Sequence, residues 1–361
     1  MVSIEDKKIS PSKKIIDDIK IQIVYIPLES TLGYIYKPKV KIGDYVCIDD
    51  TLGINITTDF ALKSSVSGTI VGIEKKYISN GKLVDCLVIE NDFKEKCRNK
   101  PGKKYDITKY SKESFIYTLQ NGGITGMSGS DYPTFMKYNT NNKINYLIVN
   151  GVECEISSSA DNAIMYHHPQ EILECIDAIM EIMNIDKAYI AVNENNNQII
   201  KIFLKYINTY PNIKIWGVVD AYPSGWERYL VKDITGLTYD KYPNEVGVIT
   251  DNIGTIYSIY ELLKYSRPLT EKIVTISGPG IKKAGKVTAD EVYVDGSRIG
   301  DVGSVVINDR KLMSTNGILV IIASIDINNK KLMATPVITT RGYILVNENE
   351  KLIKMIEKKS E

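Results

Sequence analysis

The sequence predicts an α+β multidomain protein, β-rich at both ends and α/β in the middle. Three observations predict it. From Ile21 to about Glu90, short apolar runs (IQIVYIPL, YVCI, GTIVGI, CLVIE) are divided by turn signals at Gly33, Gly43-Asp44, Gly68 and Asn80-Gly81, the pattern of an all-β domain. From Tyr146 to Ile276, strand-length apolar runs alternate with stretches of helical periodicity, which argues for a mainly parallel sheet covered by helices. After Gly278-Pro279-Gly280 the chain returns to strand-like runs (EVYVDG, GSVVIN, GILVIIASID, MATPVIT, GYILV), and a helix over 348–358 closes it.

Composition narrows the function classes. The chain has 361 residues, 43% hydrophobic and 25% charged, a globular composition with room for two or three domains. A net charge of +1 gives no global field for nucleic acid or an acidic membrane. No apolar run approaches the roughly 20 residues of a membrane helix. The first residues, MVSIEDKKISPSKK, lack the apolar core of a signal peptide, so a cytoplasmic location is expected. The cysteines (Cys47, Cys86, Cys97, Cys154, Cys175) form no CxxC pair and match no zinc or iron–sulfur spacing. His167 and His168 are the only histidines, which nearly excludes a histidine-based metal site, and no metal ligand is assigned.

In chain order, residues 1–20 are polar and read as a flexible N-terminus. Residues 21–95 form the first β domain, with a strand, tight turn and strand over Val40–Val46. Within it, Ser65–Ile70 resembles the hairpin of lipoyl- and biotinyl-type sandwiches, whose tip carries a modified lysine. Lys63 lies near that turn, but its flanks match no attachment motif, so a structural sandwich is expected. Residues 96–120 are a lysine-rich linker with Pro101-Gly102, then a short helix over 111–120. In the α/β segment, 121–280, strands are expected at 146–150, 188–192, 213–219, 246–250 and 272–276. Helices are expected at 169–183, 197–208, 225–235 and 255–265. The first of these helices carries Ile172, Leu173, Ile176, Ile179, Met180 and Met183 as a core stripe behind Pro169. Residues 281–361 make the C-terminal β-rich segment.

The stretch from Asn121 to Glu155 carries the chemistry. It joins a glycine-rich loop, NGGITGMSGSDYPTFMKY, to a strand that ends in Asn150-Gly151 and the carboxylates Glu153 and Glu155. Glycines let backbone N–H groups approach a phosphate closely, and strand ends in α/β sheets bind nucleotides. Alone, the loop is as readily a turn before a buried strand. Two more polar loops fall at strand ends, Tyr222–Arg228 and Thr250–Thr255. Trp226 is a ring-stacking residue or a core filler. Glu227 and Arg228 are site residues or a solvated ion pair. Asn252 and Thr255 are phosphate ligands or simple caps of the following helix. Convergence of three polar loops on one sheet edge favours a flavin or nucleotide cradle.

Over residues 21–280 the chain resembles the RnfC family of electron-transfer proteins. The residues that carry the likeness are PLESTLGY, VKIGDYV, SSVSGTI, GITGMSGSDYPTFMKY, YLIVNGVECE, YPSGWERYLVKDITG and VITDNIGTIYSIYELLKYSRPLTEKIVTISG. Within the family, the GWER variant points to the PrdC branch associated with proline reductase. The family is similar to the NADH-binding flavoprotein subunit of respiratory complex I. The resemblance implies a barrel-sandwich hybrid domain at 21–95 and an FMN- and NADH-binding α/β domain at 121–280. It implies that Gly126, Gly129, Lys137, Asn150, Glu153, Glu155, Gly225, Glu227, Asn252 and Thr255 line a flavin site. Lys137 would offset phosphate or ring charge, Asn150 and the carboxylates would bond ribityl or ring atoms, and Asn252 with Thr255 would hold phosphate. NADH would donate hydride to FMN itself, and the partner would be a redox protein such as a proline reductase component. The family loop usually reads GMGGAGFPT. Here Ser128, Ser130 and Asp131 differ, and the Asp131 charge would weaken anion binding. The family's CxxCxxC segment has no counterpart, so no iron–sulfur ligands are expected.

From about Lys286 the sequence resembles ribonuclease J, through KVTADEVYVDG, IGDVGSVVINDRKLMSTNGILVIIASID and ATPVITTRGYILVNENEKLI. That enzyme's HxHxDH motif is absent, which excludes metal-dependent RNA cleavage by its mechanism. The leading expectation is an electron-transfer flavoprotein module. The alternatives are a non-catalytic hybrid, or an RNA-associated protein without nuclease activity, with nucleic acid the less expected partner given the near-neutral charge.

Overall fold

The computed structural model describes residues 2–3, 22–77, 82–98, 104–127, 132–153 and 160–271, and further on 273, 275–277 and the backbone of short strands between 300 and 340. The chain divides into two compact units. One comprises Met1–Lys13, Asn99–Met127 and Tyr132–Leu269, and the other comprises Lys14–Arg98, Ser128–Asp131 and Thr270–Glu361.

The β domain is built from β1 (Ile23–Pro27), β2 (Tyr36–Pro38), β3 (Tyr45–Val46), β4 (Thr51–Asn55), β5 (Ala61–Lys63), β6 (Gly68–Tyr77) and β7 (Leu83–Asn91). These form an antiparallel four-stranded sheet, β1-β7-β6-β3, and a three-stranded sheet, β2-β4-β5. Val46, Leu52, Ile70, Leu87 and Ile89 fill its core. Gly33 and Gly43 take positive φ, +83° and +92°, as turn glycines should. Gly68, expected at a turn, instead opens β6. A Cβ there would lie 2.0 Å from the Glu90 carbonyl oxygen, so close strand approach is what requires glycine. Lys63 is not at a hairpin tip. It sits in β5 opposite Thr51, and its Nζ donates to Thr51 Oγ1 at 2.9 Å.

The α/β unit matches the expected alternation, with shifted ends. Ser111 caps α1 (Lys112–Asn121). The strands β8 (Tyr146–Asn150), β9 (Lys187–Asn193), β10 (Ile213–Val218) and β11 (Val248–Asn252) form one all-parallel sheet in the order β10-β9-β8-β11. The central β8 is buried along Leu147–Asn150, which is why it reads as an unbroken apolar run. β11 starts two residues later than expected, because Pro243–Val246 forms a 3-10 turn closed by Gly247 at φ +74°. The covering helices are α4 (Pro169–Met183), α5 (Asn197–Leu204), α6 (Glu227–Thr235) and α7 (Ile253–Tyr265). All six stripe residues of α4 are buried, and Asn184 ends the helix in the left-handed region. Two helices were not expected: α2 (Phe135–Tyr138) and α3 (Ala160–His167). One core cluster, with Ile148, Ala191, Val218, Leu230, Val231 and Val248, packs the sheet against α6.

The strand expected at 272–276 does not join this sheet. Thr275–Ser277 is extended and pairs antiparallel with Thr335–Thr340. Thr335–Thr340 also pairs with Ile318–Ala323, which pairs with Gly300–Val302, and Ser304–Ile307 forms a hairpin with Arg310–Met313. Three expected C-terminal strand runs are thus present. The EVYVDG and GYILV runs and the helix at 348–358 lie outside the described residues. Of the N-terminal residues, Val2–Ser3 pairs with Ala221–Tyr222.

Candidate functional site

Parallel strands align their carboxyl ends, so the loops after β8 and β11, the loop before α6 and the start of α7 meet at one edge. Asn150 and Asn252 are register partners at the ends of β8 and β11, both buried. Asn252 Nδ2 donates to the Asn150 carbonyl oxygen at 3.0 Å and to Asp161 Oδ2 at 2.9 Å. Asn252 Oδ1 accepts from Gly254 N at 2.7 Å, so Asn252 rather than Thr255 caps α7. Asn150 Nδ2 donates to the Gly225 carbonyl oxygen at 2.8 Å, and Asn150 Oδ1 accepts from Val152 N at 3.0 Å. Glu153 turns back to the start of α3, accepting from Asp161 N at 2.9 Å and Asn162 N at 3.2 Å. A carboxylate there answers the free N–H groups and dipole of the helix start.

The glycine loop is tied to the same edge. Gly126 N donates to the Tyr132 carbonyl oxygen at 2.8 Å, and Met127 N donates to Thr255 Oγ1 at 2.9 Å. Lys137, on α2, reaches β11. Its Nζ donates to the Thr250 carbonyl oxygen at 2.6 Å and to Asp251 Oδ1 at 2.8 Å. Tyr138 Oη donates to the other Asp251 oxygen at 2.5 Å. The Asp251 side chain has 0% exposure, and Lys137 keeps 20%. Burial opposes the Lys137 charge, but Asp251 and then Glu227 outweigh it and hold the ammonium pKa above its ordinary value. Burial and then Asp251 push the Tyr138 phenol well up, so it stays a proton donor.

Glu227, at the first turn of α6, is exposed but not paired with Arg228. It accepts from Thr250 Oγ1, and from Tyr239 Oη at 2.8 Å. Burial and then Glu227 raise the Tyr239 pKa. Arg228 donates to the Tyr239 and Asp240 carbonyl oxygens at 2.6 and 2.5 Å and lies 4.6 Å from the Tyr239 ring centroid. The solvated ion pair expected as one alternative is therefore not formed.

Eight of the ten predicted site residues thus stand in one hydrogen-bonded constellation: Gly126, Lys137, Asn150, Glu153, Gly225, Glu227, Asn252 and Thr255. Gly129 and Glu155 lie outside the described residues. Sequence reasoning included Thr250 and Asp251 in a polar loop without giving either a role, and passed over Asp161, Tyr138 and Tyr239. The available signal was the polar triplet Thr250-Asp251-Asn252 at the end of an apolar strand. Two buried hydroxyls complete the site. Ser224 Oγ, beside Gly225, and Thr134 Oγ1, at the start of α2, are fully buried and find no hydrogen-bond partner among the described residues. An unmet buried hydroxyl costs about 1–3 kcal/mol, a deficit that a polar ligand or water relieves. The loops thus gather buried polar groups, two of them with unmet hydroxyls, at this edge. Among the described residues no group of three or more His, Cys, Asp or Glu could hold a metal, and no helix is long and apolar enough to cross a membrane.

Comparison with known proteins agrees with this division. Residues 2–94 match the RnfC barrel-sandwich hybrid domain, 119–261 the Nuo51 FMN-binding domain, and 305–361 the ribonuclease J C-terminal domain. Three similar relatives are each one component of a larger complex. The chain is 26% identical over 268 residues to a component of the Na(+)-translocating ferredoxin:NAD(+) oxidoreductase complex of Acetobacterium woodii, covering 73% of this chain and 60% of that one. It is 27% identical over 266 residues to a component of the proton-translocating ferredoxin:NAD(+) oxidoreductase complex of Clostridium ljungdahlii, covering 72% of this chain and 58% of that one. Against a component of the ion-translocating oxidoreductase complex of Edwardsiella ictaluri, it is 27% identical, covering 74% of this chain and 34% of that one. The chain thus spans between a third and three fifths of these relatives. A solved NAD+-reducing [NiFe]-hydrogenase is 15% identical, with a TM-score of 0.42, covering 50% of this chain and 37% of that one. With a segment that matches the RnfC barrel-sandwich hybrid domain followed by one that matches the Nuo51 FMN-binding domain, the chain resembles RnfC-type subunits in the order of its domains.

Proposed function

We propose that this chain binds FMN at the carboxyl edge of its parallel sheet and accepts hydride from NADH there. The observation that carries the reading is the joining of three loops by Asn150, Lys137, Glu227, Asn252 and Thr255, with two unpartnered buried hydroxyls on the same loops. Bound FMN supplies the two-electron acceptor, so no protein nucleophile is needed. The chain's own residues orient and enclose. Asn150 and Asn252 fix the strand ends against the Gly225 loop and α7, and the Ser224 and Thr134 hydroxyls are free to meet ring or ribityl polar atoms. Gly129 and Glu155 are proposed to complete the lining.

The proposed setting is a cytoplasmic redox partnership. The GWER motif supports a PrdC-like role in which a proline reductase component takes the electrons. The test is anaerobic addition of NADH to the full chain saturated with FMN. Loss of the visible flavin absorbance at a rate that rises with protein concentration supports the reading. A flavin band unchanged by NADH refutes hydride transfer. A second reading, an RNA-associated tail, rests on the match over 305–361. Retention on immobilised RNA that disappears with moderate salt would support it.

A further inference from the structure

Resting on the flavin reading above, we propose that Asp251 is a specificity-determining residue, which holds Lys137 as an internal partner and makes the site nearly indifferent to the flavin's phosphate. The site would then recognise the uncharged body of the flavin, and FMN and riboflavin would bind alike.

Three features of the edge carry this. The only ammonium the site presents among the described residues is Lys137. It is spent on the buried Asp251 carboxylate at 2.8 Å and the Thr250 carbonyl oxygen at 2.6 Å. A second carboxylate, Glu227, acts on the same ammonium. Lys137 thus faces two carboxylates, while Arg228 is turned to the Tyr239 and Asp240 carbonyl oxygens, and a phosphate dianion arriving beside Lys137 meets a field that repels it. At the start of α7 the Gly254 N–H is already taken by Asn252 Oδ1, and the Thr255 hydroxyl oxygen accepts from the Met127 N–H. By contrast, the unmet groups are the neutral hydroxyls of Ser224 and Thr134, which suit ring or ribityl atoms. Tyr138 Oη, donating to the second Asp251 oxygen, fixes the carboxylate that holds Lys137.

The experiment compares FMN and riboflavin by fluorescence titration of the full chain, wild type and Asp251→Asn. Asn removes the charge and keeps one acceptor oxygen for Lys137, while its amide N–H faces Tyr138 Oη, which must then turn to accept. The wild type should bind both flavins within about threefold of each other, and Asp251→Asn should tighten FMN on the order of tenfold while moving riboflavin far less. A wild type that prefers FMN tenfold or more overturns the proposal, as does a substitution that shifts both flavins equally. The wild-type ratio decides alone if the variant does not fold. Wild-type protein that is folded yet binds neither flavin overturns the functional reading together with this one, whereas a wrong ratio overturns only this one.

Discussion

Asn252 Nδ2 stands 3.0 Å from the Asn150 carbonyl oxygen and ties the ends of two neighbouring parallel strands into one edge. The same amide donates to Asp161, and its oxygen caps α7. Asn252→Ala removes all three bonds and should destabilise the chain by about 2–3 kcal/mol in urea unfolding. Asn252→Asp keeps the cap but sets a second carboxylate against Asp161. It should therefore be no milder than alanine, although it is the closer isostere. An aspartate variant as stable as wild type would show that the Asp161 contact contributes nothing.

Lys137 and Asp251 form a pair whose loss should depend on which side is removed. Lys137→Met leaves the buried Asp251 carboxylate with Tyr138 as its side-chain partner among the described residues and should cost about 3 kcal/mol. Adding Asp251→Asn to Lys137→Met removes the stranded charge and should recover part of that loss. Strictly additive effects in the double-mutant cycle would mean that the two residues are not coupled.

Gly68 and Gly72 lie on one strand and should differ sharply in their tolerance of alanine. At Gly68 a Cβ would meet the Glu90 carbonyl at 2.0 Å, whereas at Gly72 nothing lies within 4 Å. Gly68→Ala should lower stability by about 3 kcal/mol, and Gly72→Ala should change it by less than about 0.5 kcal/mol. Thermal melts of the two variants, side by side, check the contrast.

The β domain should also carry an acid-labile contact. Asp92 accepts from Ser67 Oγ at 2.6 Å, Lys94 N at 3.0 Å and Tyr45 Oη at 2.7 Å. Ser67 first among them draws its pKa down to about 2. A carboxyl that titrates near 3.9 when unfolded thus contributes its full stabilisation above about pH 4 and loses it as the pH falls towards 2. Over that window, melting temperature should fall less steeply for Asp92→Asn than for wild type. Parallel slopes would mean that the contact does not form.

Much of this was legible in the sequence because backbone need and residue type coincide. The α4 stripe, Pro169 at its start and the apolar run of β8 each fit one kind of element. Gly68 was misread because a turn and a close strand contact ask the same thing of a residue, the lack of a Cβ. The α3 helix was missed because the serines before it resemble a loop, and its cap is Glu153, seven residues upstream of Ala160. At the site, residues at strand ends could be found from the pattern. Their partners could not, since Lys137 and Asp251 lie 114 residues apart and only the fold brings them together.

The most direct test of the central claim is titration of the full-length chain with FMN, followed by quenching of flavin fluorescence, with circular dichroism to establish that the protein is folded. The account predicts saturable binding at one flavin per chain, weakened by Ser224→Val and by Thr134→Val, which remove the two unmet hydroxyls. A folded chain that leaves FMN fluorescence unchanged at every concentration would contradict it.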